Sequence, residues 1–323
     1  MNTDSQGWQA RGQIFDVADW TEHPCMGNFA QSPQAIVLDD RVRIFFTTRF
    51  PSEDGAAWKS QPMFVDFSLA MDQRLSEPTQ VQLPDAKLGC FDEDGIFPFS
   101  PVLFDGVIYA FTTGWSRRLS VSVETGIGIA TSADLGKSFT RLGDGPVLSA
   151  NLDEPFLVCD GFVRRVGTAW MMWYCFGTGW TYDPMSKEWE RTYKITQTQS
   201  ENILEWSPAG GRQVVDSVGG EMEAQALPSV LQLPSGELWM SFCYRETFNF
   251  RTVPSAGYKI GFASSFDGQS WERWDGSVSV PRAGFDSKMQ CYPHIFLVEG
   301  TAHLLYNGDE FGKHGFGLAS WRS

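Results

Sequence analysis

Acidic side chains recur at matched places along this 323-residue chain. Asp94, Glu154, Glu221 and Asp286 each stand seven positions ahead of a proline or glycine that opens an apolar run: Pro101, Gly161, Pro228 and Pro293. Asp92, Glu93, Asp153 and Glu223 lie beside them, and the matching place before Pro33 holds Met26. Several carboxylates gathered in one place push each other's pKa values apart, supplying a protonated acid and an ionised base at neutral pH. Cleavage of a glycosidic bond needs such a pair. The competing reading is structural, because Asp and Glu in polar loops also cap turns and meet solvent.

Aromatic and basic residues offer a binding counterpart. Trp115, in Thr113-Gly114-Trp115, and Trp180, in Gly177-Thr178-Gly179-Trp180, follow strand-like runs beside glycines that let the backbone approach closely. Both places suit stacking on a sugar as well as packing. Arg49 after Phe45-Phe46-Thr47-Thr48 and Arg245 after Phe242-Cys243-Tyr244 hold the matching positions elsewhere. Arginine there suits a carboxylate or polyhydroxyl ligand, or a salt bridge to the acidic set. His23 and His294 are reserve acid–base candidates. The six cysteines have no CxxC or CxH spacing, so they read as free, packed thiols without a zinc site. No metal and no cofactor is expected.

The elements that must position these residues repeat. Pro33 opens the run before Ile44-Phe45-Phe46, Pro101 that before Tyr109-Ala110-Phe111, and Gly161 that before Trp170 to Tyr174. Pro228 and Pro293 open the runs before Leu238 to Phe242 and His303 to Tyr306. Each unit reads as a hairpin, and the spacings of 68, 60, 67 and 65 residues imply five units of about 65. A third strand follows at Ile127 to Ser132, Ile260 to Ser265 and Phe316 to Ser320. Two of these run into a Ser-x-Asp turn ending on an aromatic, Ser132 to Phe139 and Ser265 to Trp271, where Asp caps the turn and the ring packs between sheets. The expectation is an all-β, single-domain (1–323) five-bladed propeller with four-stranded antiparallel blades. The last unit lacks an outer strand, and Gln13-Ile14-Phe15-Asp16-Val17 is expected to close the ring there.

Composition agrees. Glycine (32), proline (17) and 14% aromatics describe a turn-rich globular chain, and no amphipathic helix recurs between the strands. A net charge of −14 would repel phosphate backbones and anionic lipid, which argues against nucleic acid and membrane partners. No basic and apolar leader and no run of eighteen apolar residues is visible, so the expected location is the cytoplasm. Oligomeric state is left open.

The runs Gly89-Cys90-Phe91-Asp92-Glu93-Asp94-Gly95, Gly177 to Trp180, Glu223 to Pro228, Asp286 to Pro293 and Tyr306-Asn307-Gly308-Asp309-Glu310-Phe311-Gly312 resemble a known group. They are similar to five-bladed glycoside-hydrolase-like propellers related to families 32, 43, 68, 117 and 130, many associated with bacterial surface-polysaccharide pathways. The resemblance implies a carbohydrate or sugar-conjugate ligand and a glycosyl unit hydrolysed or transferred by two funnel carboxylates. Members similar to family 43 place an Asp base on the inner strand of blade one, an Asp in blade two and a Glu acid in blade three. Blade one here reads Met26-Gly27-Asn28-Phe29-Ala30-Gln31-Ser32-Pro33, without a carboxylate. The catalytic candidates are therefore Asp92, Glu93, Glu223 and Asp286. Asn28, Gln31, Arg49, Trp115, Trp180, Tyr244, Arg245 and Asn307 are the candidates for holding the sugar. Two alternatives stand beside this: a carbohydrate-binding propeller without turnover, and a sialidase-like hydrolase with an Arg49, Arg245 and Arg251 triad. The second sits poorly with five units where sialidases have six.

Overall fold

The computed structural model describes residues 7–52, 58–274 and 278–322. Five antiparallel sheets form a ring. Blade I comprises Asn28–Val37, Val42–Pro51, Trp58–Phe67 and Thr79–Gln80. Blade II comprises Ile96–Phe104, Val107–Arg117, Val123–Ser132 and Thr140–Arg141, with Leu148–Ser149 also paired to its third strand. Blade III has three described strands, Val158–Val166, Ala169–Asp183 and Glu188–Ser200. Where a fourth would lie, one backbone bond joins Val214 N–H to the Ile195 carbonyl at 2.9 Å. Blade IV comprises Glu223–Gln232, Leu238–Glu246, Lys259–Ser265 and Glu272–Arg273.

Blade V is assembled from both ends of the sequence. Cys291–Val298, Thr301–Asn307 and Gly315–Arg322 are completed by Gly7–Asp16, which pairs antiparallel with Gly315–Arg322. This is the expected closure, by a strand that starts earlier than Gln13. It pairs an edge that would otherwise be open to other chains. The five first strands of the blades pack side by side around the axis.

Alternation of side chains sends one face of each sheet toward its neighbour, so apolar residues meet between blades. Phe139, at the end of the first Ser-x-Asp turn, packs edge-on against Phe99 (4.9 Å) and Phe45 (6.0 Å). Trp271, at the end of the second, meets the fully buried Trp173 at 5.9 Å. The turns carry these rings as expected. Asp134 accepts the Lys137 and Ser138 N–H groups, both at 3.0 Å, and Asp267 accepts those of Gln269 (2.7 Å) and Ser270 (2.8 Å). Arg43 ties blade I to the first turn by donating to the Leu135 carbonyl at 2.8 Å. Its other nitrogens make a bidentate pair with buried Asp66, at 2.8 and 2.7 Å.

Every inner strand breaks register near its start. The irregularities fall between Gln31 and Gln34, Ile96 and Phe99, Cys159 and Phe162, Ala226 and Ser229, and Cys291 and His294. In four blades the extra residue is left-handed: Ser32 (φ 51°), Asp160 (φ 59°), Leu227 (φ 52°) and Tyr292 (φ 54°). Blade II has Phe97–Pro98 at that place. A bulge re-aims one side chain out of the alternation. Left-handed Leu and Tyr are uncommon, so the surrounding structure must hold these repeated bulges in place.

Candidate functional site

Four of the five bulge positions face one cavity of about 360 Å³ at the axis: Phe97, Asp160, Leu227 and Tyr292. The ends of second and third strands complete its wall, contributing Arg49, Trp58, Trp115, Arg117, Arg191 and Tyr193. Asp160 is the one carboxylate among the described lining residues.

Asp160 is set by three blades. Its N–H donates to Thr113 Oγ1 of blade II at 2.7 Å, and its Oδ2 accepts the Leu227 N–H of blade IV at 3.2 Å. It is 9% exposed. Burial pushes its carboxyl up to about 6, against the opposing pull of the Leu227 N–H, the Cys175 and Cys159 thiols and the Arg191 charge. The site therefore holds an acid whose two protonation states interconvert near neutrality.

The cations around it are unequal. Arg117 is neutralised by Asp94, which also accepts the Arg117 N–H at 2.9 Å, and its guanidinium lies 4.9 Å from the Trp115 ring. Arg49 and Arg191 form no ion pair among the described residues. Arg49 lies 5.3 Å from the Phe29 ring, and its Nε is buried without a hydrogen-bond partner among the described residues. Burial lowers its pKa, and the like charge of Arg191 lowers it further. Arg191 donates to Ser122 Oγ at 3.3 Å. In a protein of net charge −14, two guanidiniums sharing one cavity with a single carboxyl make a local cationic spot.

Arg49 and Trp115 thus stand where their repeat positions put them, in the cavity wall. Arg245 lies behind it, buried, donating to Tyr258 Oη (3.2 Å) and the Arg191 carbonyl (3.2 Å) and stacking 3.7 Å over Phe250. It braces Tyr193 and Tyr258, whose hydroxyls meet at 2.8 Å. Trp180 flanks Arg191 at 5.9 Å. Tyr244 lies under Arg273 at 4.3 Å, away from the cavity lining. Gly114 and Gly177 do admit close neighbours: a β-carbon would fall 2.4 Å from Phe91 Cε2 at the first and 2.8 Å from Leu157 N at the second.

Asp92, Glu93, Glu223 and Asp286 do not line the cavity. Each is held within its own part of the ring. Asp92 takes two of the three Arg141 nitrogens, at 3.1 and 2.8 Å, and Glu93 accepts the Gly89 N–H at 2.7 Å. Glu223 accepts Arg273 (2.7 Å), Gln225 (3.0 Å) and the N–H groups of Val218 (3.0 Å) and Gly219 (2.8 Å). Asp286 accepts the Ala283 N–H (2.7 Å) and Gln290 Nε2 (2.6 Å). Glu154 does the same work on Tyr174 Oη at 2.9 Å and the Gly211 N–H at 3.0 Å.

Asn307 fastens blade V to blade I, accepting the Ser32 N–H at 2.7 Å and donating to the Ala30 carbonyl at 2.8 Å. Gln31 donates to the Phe311 carbonyl at 2.7 Å, and Asn28 is exposed opposite Arg49 in the strand register. His294 is buried between Ser229 Oγ and the Ala35 carbonyl, and burial holds its pKa down at about 3. Of the arginines that a sialidase-like triad would need, Arg49 lines the cavity, Arg245 lies behind its wall and Arg251 pairs with Glu190.

Asp160 and Arg191 are absent from the candidates that the sequence offered. The signal for Asp160 is the residue immediately before each repeat point. Ser32-Pro33, Phe97-Pro98, Asp160-Gly161, Leu227-Pro228 and Tyr292-Pro293 recur at intervals of 65, 63, 67 and 65 residues.

No protein-family model matches this sequence. It is 29% identical over 318 residues to "Uncharacterized protein Rv1502" of Mycobacterium tuberculosis (strain ATCC 25618 / H37Rv), covering 97% of this chain and 98% of that one. Among solved structures it is similar to a "Glycoside hydrolase" with a TM-score of 0.73 and 14% identity, over 98% of this chain and 92% of that one. A "thermostable family-43 glycoside hydrolase" matches with a TM-score of 0.63 and 14% identity, over 93% of this chain and 90% of that one. A member of "the GH130 family of mannoside phosphorylases", described as containing glycoside hydrolases that target β-1,2 mannosidic linkages, matches with a TM-score of 0.67 and 15% identity. That match covers 99% of this chain and 95% of the other. The architecture is therefore the five-bladed propeller that glycoside hydrolases also use. Among the described residues no helix is long and apolar enough to cross a membrane.

Proposed function

We propose that this chain acts on a glycosidic bond of a saccharide held in the axial cavity, with Asp160 as proton donor and Arg49 and Arg191 holding an anionic group. The observation that carries the proposal is Asp160 itself, a buried carboxyl raised to about 6 in a cavity with two guanidiniums that form no ion pair among the described residues. A catalytic acid works best when its pKa lies near the operating pH. The likeness of the fold to glycoside hydrolases and mannoside phosphorylases supports the same class of chemistry.

As the glycosidic C–O bond breaks, Asp160 gives its proton to the leaving oxygen. An oxygen of water, or of an oxyanion such as inorganic phosphate held by the guanidiniums, forms the new bond to the anomeric carbon. The proton released from that nucleophile or from its product restores the Asp160 carboxyl. Trp115 offers a ring for stacking. Asp92, Glu93, Glu223 and Asp286 serve this reading as fasteners of the ring. The six cysteines, all free, suit a reducing compartment and so a cytoplasmic location.

The test is incubation with an oligosaccharide panel, with and without inorganic phosphate, scoring released reducing sugar and sugar 1-phosphate. Asp160→Asn should lose at least about 100-fold in turnover while still binding saccharide. Full turnover by that variant overturns the assignment. A second reading, a sugar-binding propeller without turnover, is favoured by the presence of one carboxylate among the described residues of the wall. Saccharide binding with no turnover by the wild type would select it.

A further inference from the structure

We propose that Trp180, Tyr182 and Trp189 on the blade III hairpin form a stacking platform for a second sugar residue, continuous with the one in the cavity. This rests on the reading that the cavity holds a saccharide. Ala169–Asp183 and Glu188–Ser200, at 15 and 13 residues, are the two longest described strands and overrun their blade. Trp180 is paired with Arg191 and Tyr182 with Trp189. Cross-strand partners share a face, as do residues two apart, so these four side chains lie on one side of the ribbon. Arg191 is already part of the cavity wall. Two residues along a strand advance about 7 Å, so the Tyr182–Trp189 pair extends that wall outward from the cavity.

The opposite side of the ribbon is engaged. Glu190 pairs with Arg251, and Thr192 Oγ1 meets Thr247 Oγ1 at 2.8 Å. The tip is fixed as well, because buried Asp183 accepts the Met185 N–H (2.9 Å) and the Ser186 hydroxyl (3.0 Å). The aromatic side is thus held in one orientation before any ligand arrives. Tyr182 is 46% and Trp189 49% exposed, ring centroids 5.5 Å apart. Exposed aromatics grouped on a rigid ribbon mark a binding surface. The apolar C–H face of a pyranose fits rings of this kind, and their continuity with the cavity picks a longer saccharide over a separate partner.

The experiment compares saccharides of increasing length on wild type and variants. Galacturonate, digalacturonate and trigalacturonate provide an acidic series, mannose and mannobiose a neutral one, with calorimetric titration as readout. The wild type should bind the longer member of a series about tenfold or more tightly than its monosaccharide. The double variant Tyr182→Ala with Trp189→Ala should bring that ratio close to one with monosaccharide affinity unchanged, and Trp189→Phe should keep it. Both rings are half-exposed, so circular dichroism should show an intact fold. If the wild type binds saccharide but the ratio survives in the double variant, the platform is refuted and the cavity reading stands. If the wild type sediments as a dimer and the double variant as a monomer, the face is an interface between copies and the platform is refuted. If no probe binds the wild type, the saccharide reading of the cavity falls and the platform with it.

Discussion

Replacing Asp160 with Asn should make the protein more stable at neutral pH, because the wild type keeps a buried carboxyl there at a cost. The carboxyl stands at about 6 when folded, against 3.8 for an unperturbed Asp. A raised folded value contributes stability that is fully present below the unfolded pKa and lost as pH rises through the folded one. Between about pH 4 and pH 6 the wild type therefore gives up stability that an uncharged isostere retains. The difference of the two values corresponds to about 3 kcal/mol at pH 8, falling to about 1 kcal/mol at pH 4.5. For a protein of this length, 3 kcal/mol is a rise of about 4 °C in melting temperature. Asn is a close stand-in for the protonated acid, since its oxygen can still accept the Leu227 N–H. Differential scanning calorimetry of both proteins at the two pH values is the assay. An Asn variant that is less stable than wild type at pH 8, or a gap that does not change with pH, would refute the argument that Asp160 is held against its own charge.

Turnover dependent on Asp160 as an acid should lose kcat/KM as pH rises above about 6, with the limb set by the same carboxyl; a flat profile from pH 5 to 8 counts against it. Asp66→Ala should cost about 3–5 kcal/mol in a denaturant titration, because it strands the Arg43 guanidinium, which is 1% exposed. Glu223→Gln should lower stability by about 3 kcal/mol through the Arg273 pair and leave saccharide affinity unchanged, whereas lost turnover at full stability would return Glu223 to the chemistry. Arg49→Ala should weaken binding of an acidic saccharide more than that of its neutral counterpart, since it removes one of the guanidiniums lining the cavity.

Much of the ring could be read from the residue order, since a blade announces itself locally. Pro33, Gly161, Pro228 and Pro293 each follow the bulge residue of their inner strand directly. In blade II the sequence Phe97-Pro98-Phe99-Ser100-Pro101 offers two prolines, and counting from the second set the repeat three residues late. Arg49 and Trp115 were legible because strand ends at equivalent places meet at the axis. The carboxylates were harder, since what a loop Asp or Glu does depends on a partner far along the sequence. Asp92 finds Arg141 49 positions on, and Glu223 finds Arg273 50 positions on. Asp160 is not distinctive in the sequence, because Asp-Gly reads locally as a turn. Its environment is made by Thr113, Arg191 and Leu227, three residues from three other strands.

The closure of blade V also sets a timetable for biogenesis. Gly7–Asp16 has its partner in Gly315–Arg322, so the earlier segment must wait for one made about 300 residues later. At translation rates of about 5–20 residues per second, that wait is roughly 15–60 s. Throughout it Phe15, 1% exposed in the finished protein, has no Phe316 to stack on. Ribosome-bound nascent polypeptides halted before Gly315 should therefore engage a holdase chaperone through this segment, and release should follow the emergence of its partner strand.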